Sequence, residues 1–387
     1  MQPQKKSLEI LKLVSRHEFE TLAKQYHSVR AFRTASRWSQ FVTLAMAQLA
    51  GRISLRDIVE NVSVQAHRLY HLGSAKLTRS NLSRINEDKP YALYEALAEK
   101  LLNRCQEMTP GHKFRFKNPL YSLDTSTIDL CLSVFPWASF RSTKGAIKLP
   151  LGLNHDGYLP EFVTITEGKT SDVEMSRTLT FPSGSIVVVD RGYNDYDWYN
   201  QLTEKGIFFV TRPKTNAQYQ VINRQPVLKN KGVTSDQTIR LISIRAAKKY
   251  PNQLRRVGYR DVDTGKHYVF LTNNFKLAAR TIADIYKARW QVELFFKWIK
   301  QNLKIKSFIG TSKNAVMTQI WIAMCVYLLL AFIKFQSKMN KTMQQILRLL
   351  QLNLFEKRDL MALLRGDPSN RNHASNIPMP LVKFALL

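Results

Sequence analysis

The run Ser185-Ile-Val-Val-Val-Asp190 constrains the fold of this chain more than any other segment. Four consecutive apolar β-branched residues leave no solvated face, so the run reads as a central strand covered on both sides. The segments around it share that grammar. LYSLDTSTIDLCLSVF reads as strand, turn, strand, and KLPLGLNHDGYLPEFVTITEG as a hairpin around Asp156-Gly157. SDVEMSRTL is helical after its cap residues, RGYNDYDWYNQLTEKG brings a second helix, and IFFVTR is another strand. Hairpins followed by strand–helix alternation imply a mixed α/β sheet.

The flanks have a different texture. Residues 1 to about 115 read as helical, with LEILKLVSRHEFETLAKQY and SRWSQFVTLAMAQLAG amphipathic, Gly51 closing the second, and SLRDIVENV starting on a Ser cap. SAKLTRSNLSRINEDKP suggests a small helix-turn-helix-like module, with Arg79, Asn81, Ser83 and Arg84 near a DNA-reading end; a plain helical packing domain fits the same residues. Between Arg212 and Arg260 stand twelve Lys or Arg against one acid, Asp236, among strand-like pieces such as TIRLISIRA, and HYVFLTNNF closes the stretch. It reads as a basic β-rich insertion at about 212–270. Its aromatics Tyr219 and Tyr250 fit core packing better than stacking on a base. The chain then returns to helices, ending in KTMQQILRLLQLNLF, with the last dozen or so residues expected to be loose. The boundaries expected are 1–115, 116–335 and 336–387.

Charge narrows the function. A formal net charge of +29 over 387 residues favours a polyanionic partner, with a membrane surface as the rival. Ala315–Ile333 carries no charged residue and is long enough to span a bilayer, but Thr318 and Gln319 interrupt it, which favours a buried core helix and no membrane. MQPQKKSLEILKLVSRHEFE lacks an apolar signal core, and Cys105, Cys131 and Cys325 are scattered, so a cytoplasmic, reducing setting is expected. There is no GxxxxGK[ST] or GxGxxG loop, and no His/Cys spacing for zinc; His112 and His155 read as isolated polar histidines.

Three acids stand out. Asp124 ends the apolar LYSLD and Asp190 ends SIVVVD, the strand position where open α/β sheets place ligands. Either can instead cap the turn that follows it, and Asp190 can pair with Arg191. Asp129 alternates with apolar residues and faces solvent, while Asp195 and Asp197 are acids of a first helical turn. The third acid is Glu293, in IADIYKARWQVELFFKWIKQNLK, which has no Pro or Gly and reads as one helix. At about 100° per residue, Tyr286, Arg289, Glu293 and Lys300 fall within roughly a 60° sector, opposite a core stripe of Ile285, Ala288, Val292, Phe295, Ile299 and Leu303. Such a row can be an ordinary solvated face with weak ion pairs. Combined with two strand-end aspartates, it instead suggests three hard oxygen ligands for Mg²⁺ or Mn²⁺ beside groups that suit a phosphate.

In this combination the chain resembles a DDE-type transposase of bacterial insertion sequences, in the subgroup marked by a Tyr-x2-Arg-x3-Glu-x6-Lys signature. Tyr286, Arg289, Glu293 and Lys300 match every spacing, Asp124 lies in LDTSTI and Asp190 in DRGY, over roughly residues 115 to 335. The resemblance implies a ribonuclease-H-like mixed sheet with flanking helices, a β-rich insertion before the last catalytic helix, and an all-α N-terminal domain. It further implies that Asp124, Asp190 and Glu293 hold two Mg²⁺ (or Mn²⁺) ions, and that Tyr286, Arg289 and Lys300 contact phosphates near the cut. Double-stranded DNA is the expected partner, contacted also through Arg191, Arg79 and Arg84, with a dimer on DNA. A metal-dependent nuclease without strand transfer and a non-catalytic DNA-binding regulator are the alternatives.

Overall fold

The computed structural model describes residues 9–26, 36–141, 144–167, 171–227, 232–353 and 360–365. The loose C-terminal dozen expected above lies outside the described residues.

Seven helices come first: α1 Glu9–Lys12, α2 Arg16–Lys24, α3 Arg37–Leu49, α4 Leu55–Val64, α5 Ala66–Leu69, α6 Arg79–Asp88 and α7 Ala92–Gln106. The first amphipathic run is thus two helices, because Ser15 turns extended between them (ψ 127°). Gly51 follows α3 with φ +69°. The connection from α4 to α6 is residues 65–78 and contains α5 with a further short turn, not the three- or four-residue turn of a helix-turn-helix.

The sheet begins with β1 Leu120–Leu130, β2 Ser139–Arg141, β3 Lys144–Asn154, β4 Leu159–Val163 and β5 Thr166–Glu167. The expected break after LYSLD is absent: β1 runs on through Thr125-Ser126-Thr127 because β3 pairs with it antiparallel all the way from Tyr121↔Asn154 to Leu130↔Gly145. The β3–β4 hairpin turns at Asp156-Gly157-Tyr158, where Gly157 and Tyr158 both have positive φ. Next come α8 Asp172–Arg177, whose Ser171 cap accepts from the Glu174 N–H at 3.1 Å, then β6 Ile186–Val188, α9 Tyr196–Glu204 and β7 Phe208–Thr211. Asp195 caps α9 through the N–H groups of Asp197 and Trp198.

β1, β6 and β7 are parallel neighbours, while β3 flanks β1 antiparallel. Alternate residues of β6 face opposite ways. Val187 packs with Phe209 and with Trp198, Tyr199 and Leu202 of α9; Ile186 and Val188 pack with Val210 on the other face. This is the two-sided cover that its all-apolar sequence demands. The basic stretch forms β8 Tyr219–Gln225, β9 Val233–Leu241, α10 Ile244–Lys249, β10 Leu254–Arg260 and β11 His267–Thr272. TIRLISIRA is therefore strand only to Leu241; Ser243 is extended and Ile244 begins a helix. β8 to β11 extend the same sheet through β11 on β7, giving eleven strands in the path β2-β3-β1-β6-β7-β11-β10-β9-β8, with β4 and β5 on β3. Tyr250 is buried with its hydroxyl 3.1 Å from Thr203 Oγ1, and Tyr219 lies under the Arg256 guanidinium at 5.3 Å, so both aromatics pack in place.

The remaining helices are α11 Ala279–Ala288, α12 Trp290–Asn302, α13 Lys313–Ser337, α14 Met343–Asn353 and α15 Leu360–Arg365. The signature segment is two helices meeting at Arg289, where the Arg289 N–H bonds Tyr286 O and the Val292 N–H bonds Arg289 O, tight i to i+3 spacings that reset the helical phase. α11 packs Ile282, Ala283 and Ile285 beneath the sheet, and α12 buries Val292, Phe295, Phe296 and Ile299. The uncharged run is the centre of α13, buried against α3, α6 and α7. Gln319 is satisfied there, donating to Ser307 O at 2.8 Å and accepting from the Ile309 N–H at 3.1 Å. One apolar core thus joins α2, α3, α4, α6 and α7 to α12, α13, α14 and one side of β3.

Candidate active site

β1, β6 and β7 run side by side in register, with Ser122 opposite Val188 and Val188 opposite Val210. Each chain continues beyond these pairs; the Val189 N–H still bonds Val210 O at 3.1 Å. Extended two residues past these last pairs, at roughly 4.8 Å per strand, the register leads to Asp124, Asp190 and Arg212, of which Asp124 alone lies within a strand. Asp124 is therefore within a strand, but it is the first acid past the point where its parallel partner stops.

Each acid is pinned locally. Thr125 donates its N–H to Asp124 Oδ1 at 2.9 Å. Asp190 caps the short turn Arg191–Tyr193 and accepts the Gly192 N–H. Glu293 is held by Arg289 Nη2 at 2.6 Å, and Arg289 Nη1 lies 3.9 Å from Asp124 Oδ2. Arg289 thus bridges the strand acid and the helix acid, itself only 12% exposed and with a buried Nε that meets no acceptor. Burial pushes the Asp124 carboxyl up to about 6, with Glu293 and Asp190 adding to the push and the Thr125 N–H and Arg289 opposing it.

Tyr286 adjoins this bridge, its ring under the Arg289 guanidinium at 5.8 Å. Tyr286 packs on Phe270, ring centroids 4.8 Å apart, and burial raises its hydroxyl above the ordinary range. Lys300 donates to Thr127 O at 3.0 Å, and burial, with Lys306 adding to it, lowers its ammonium. Arg289 thus touches both Tyr286 and Glu293, while Tyr286 also packs against β11 and Lys300 reaches β1. Arg191 is exposed next to Asp190, and Arg79, Ser83 and Arg84 are exposed on α6 while Leu82, Ile85 and Asn86 are buried. His155 is buried on Ser122 Oγ at 2.7 Å, and burial holds its imidazole down to about 4.

Two groups at this rim escaped the sequence reading. Tyr193, the Tyr of DRGY, hydrogen bonds Thr125 Oγ1 at 2.8 Å and so ties the Asp190 turn to the Asp124 strand. Arg212 ends IFFVTR as Asp190 ends SIVVVD, and the same strand-end argument would have found it.

Three carboxylates are hard oxygen donors of the kind Mg²⁺ and Mn²⁺ take. Asp124 feels the charges of both other acids, so a cation among them relieves mutual repulsion, and the residues fit a divalent ion. Among the described residues no three His, Cys, Asp or Glu side chains already converge on one point, since Arg289 stands between two of them.

Comparison with known proteins bears on the same segment. The family model described as "Transposase DDE domain" matches residues 117–329, and one described as a domain of unknown function (DUF4372) matches residues 7–75. A protein of Sinorhizobium fredii named as transposase y4zB is 37% identical over 244 residues, covering 61% of this chain and 67% of the relative. One of Geobacillus stearothermophilus, named as the transposase for insertion sequence element IS5377, is 30% identical over 271 residues, covering 69% and 70%. Among solved structures, the piggyBac transposase synaptic complex with hairpin DNA matches with a TM-score of 0.45 and 10% identity, over 95% of this chain and 82% of that one, a likeness too loose to carry an argument.

Proposed function

Since this chain belongs to the transposase DDE domain family, we propose that its reaction is cleavage of DNA at the ends of its own insertion sequence, followed by joining of the freed 3′-hydroxyl to target DNA. The observation that supports the reading is the parallel pairing of β1 and β6, whose chains lead on to Asp124 and Asp190, with Glu293 joined to Asp124 through Arg289.

Asp124, Asp190 and Glu293 are the residues that would hold a pair of divalent ions. When bound, such ions supply Lewis acidity at the phosphate and a water acidified towards neutral pH. The protein's own groups do the rest. The Thr125 N–H and the Gly192 N–H fix one oxygen of each aspartate, and the second oxygen of Asp124 faces Arg289, which a bound ion would displace. Arg289, Tyr286 and Lys300 orient the backbone of the cleaved strand, which positions it without reading sequence. Hydrolysis at the transposon end leaves a 3′-hydroxyl, and the same site then directs that hydroxyl onto a phosphodiester of the target.

The helical residues 1–115 read the ends in this scheme, with Arg79 and Arg84 on the open face of α6 and Arg191 beside the acids. Residues 116–335 carry the catalysis, and 336–387 form the C-terminal region, of which α14 and α15 are described. The excess of 58 Lys and Arg over 29 acids supplies the sequence-independent grip on DNA. Two ends must meet, so the working form is a dimer on DNA, in the bacterial cytoplasm.

The test is Mg²⁺-dependent cleavage and joining of a duplex carrying the element's terminus. Asp124→Ala, Asp190→Ala and Glu293→Ala each abolish cleavage on this reading. Full cleavage by any one removes that residue from the site, and cleavage without joined product by the unmodified chain reduces the protein to a nuclease.

A further inference from the structure

The row at the carboxyl ends of the parallel strands has three members, and only two are acids. We propose that the third, Arg212, binds a backbone phosphate of the DNA strand lying along the acid row, as a contact separate from those of Tyr286, Arg289 and Lys300. The proposal rests on the transposase reading and adds a further contact to that site.

Position is the first argument. Continued register sets Arg212 beside Asp190 on the side away from Asp124, so a strand whose scissile phosphate meets the acids passes over Arg212 within about one nucleotide. The backbone there is fixed. Asn194 donates to Arg212 O at 2.8 Å, and Asn194 Oδ1 in turn accepts the Tyr199 hydroxyl at 2.9 Å. Thr211 Oγ1 reaches Asp190 O at 3.4 Å. Arg212 therefore keeps its offset from Asp190 without help from DNA.

The guanidinium is the second argument. It lies 5.4 Å over the Tyr268 ring and hydrogen bonds the Tyr286 hydroxyl, which burial keeps protonated against the opposing charges of Arg289 and Arg212. Stacking satisfies one face and the Tyr286 hydroxyl takes one N–H, which leaves the remaining N–H groups of the fork to find a partner. Among the described residues no carboxylate lies within ion-pair distance of it, whereas Arg289 has two and the other buried guanidinium of this sheet, Arg255, is closed on Asp236. An Arg that is half-buried, held in one orientation and left without an acid, at the rim of a site that takes a polyanion, is set up for charge-assisted bonds to a phosphate.

Arg212→Gln and Arg212→Lys test this through the salt dependence of binding to a labelled duplex carrying the element's terminus, measured without divalent ions. Loss of one phosphate contact lowers the slope of log K against log salt by about 0.9. Arg212→Gln then loses about 3-fold less affinity than the parent between 50 and 200 mM salt, while Arg212→Lys keeps the parent slope and both keep the parent Tm. An unchanged slope in Arg212→Gln overturns the assignment. So does an Arg212→Gln variant that unfolds, which marks the residue as a brace for Tyr268 and Tyr286. A parent chain that fails to bind its own ends sinks the transposase reading itself; a parent that binds and cuts beside an unaltered Arg212→Gln slope sinks only Arg212.

Discussion

Asp124→Asn separates what the acid cluster does for function from what it costs in stability. Asp124 titrates near 6 in the folded protein, against 3.8 as the ordinary value, with burial as the main cause and its acidic neighbours next. The folded value is the higher, so the folded protein holds the proton more tightly than the unfolded chain. The resulting penalty is absent below about pH 4, grows as pH rises to about 6, and is complete above it. A shift of about two units is worth about 3 kcal/mol, and the side chain is 25% exposed, which brings the expectation to about 2 kcal/mol. Asparagine keeps the shape and an amide oxygen for the Thr125 N–H but cannot ionise. Urea denaturation of parent and variant in chelator should therefore give Asp124→Asn a gain of about 2 kcal/mol near pH 8 and almost none near pH 4, with cleavage abolished. Adding Mg²⁺ near pH 8 should narrow the gap by stabilising the parent alone. A variant that is no more stable than the parent near pH 8, or a gain that does not change with pH, refutes the reasoning.

Two further outcomes follow from buried contacts. Tyr193→Phe keeps the ring in the core and deletes only the bond to Thr125, so it should lose about 1 kcal/mol of stability. Single-turnover cleavage should slow while end binding holds; equal rates would separate this bond from the site. Arg255→Met leaves Asp236 charged and unpaired beneath the basic strands, after loss of bonds at 2.9 and 2.7 Å, and should cost about 3–5 kcal/mol in urea denaturation. Adding Asp236→Leu should recover most of that loss, and a double variant as weak as the single one would count against a charge explanation.

The parts of this fold legible in the sequence are those where one rule acts alone. SIVVVD could only be a covered strand, and the apolar run at 315–333 revealed its core role through Thr318 and Gln319, of which Gln319 now caps a loop. Asp124 and Asp190 stand out as acids that follow apolar runs, although Asp124 lies within β1 and not at its end. What failed depended on partners distant in sequence. β1 continues past Asp124 because β3 lies beside it, information held some twenty residues further along the chain. The break at Arg289 carries no Pro or Gly; Arg289 there bridges Asp124 to Glu293, a demand that helical periodicity cannot contain. Arg212 was overlooked for a simpler reason: a basic residue in a basic stretch gives no contrast.

The shared core of α7 and α13 makes the molecule a ruler. Elsewhere, a DNA-reading module on a flexible tether can search independently of the domain that cuts. Here the first helices and the last ones interdigitate, so whatever DNA the α6 face touches stands at a set offset from Asp124. On the proposed reading, the spacing between a recognised sequence and the bond that breaks is then a property of side-chain packing, and altering it requires rebuilding a hydrophobic core instead of lengthening a loop. It also means the catalytic segment cannot be excised cleanly: without the helices up to Gln106, α13 would expose the apolar side chains it packs on α3, α6 and α7.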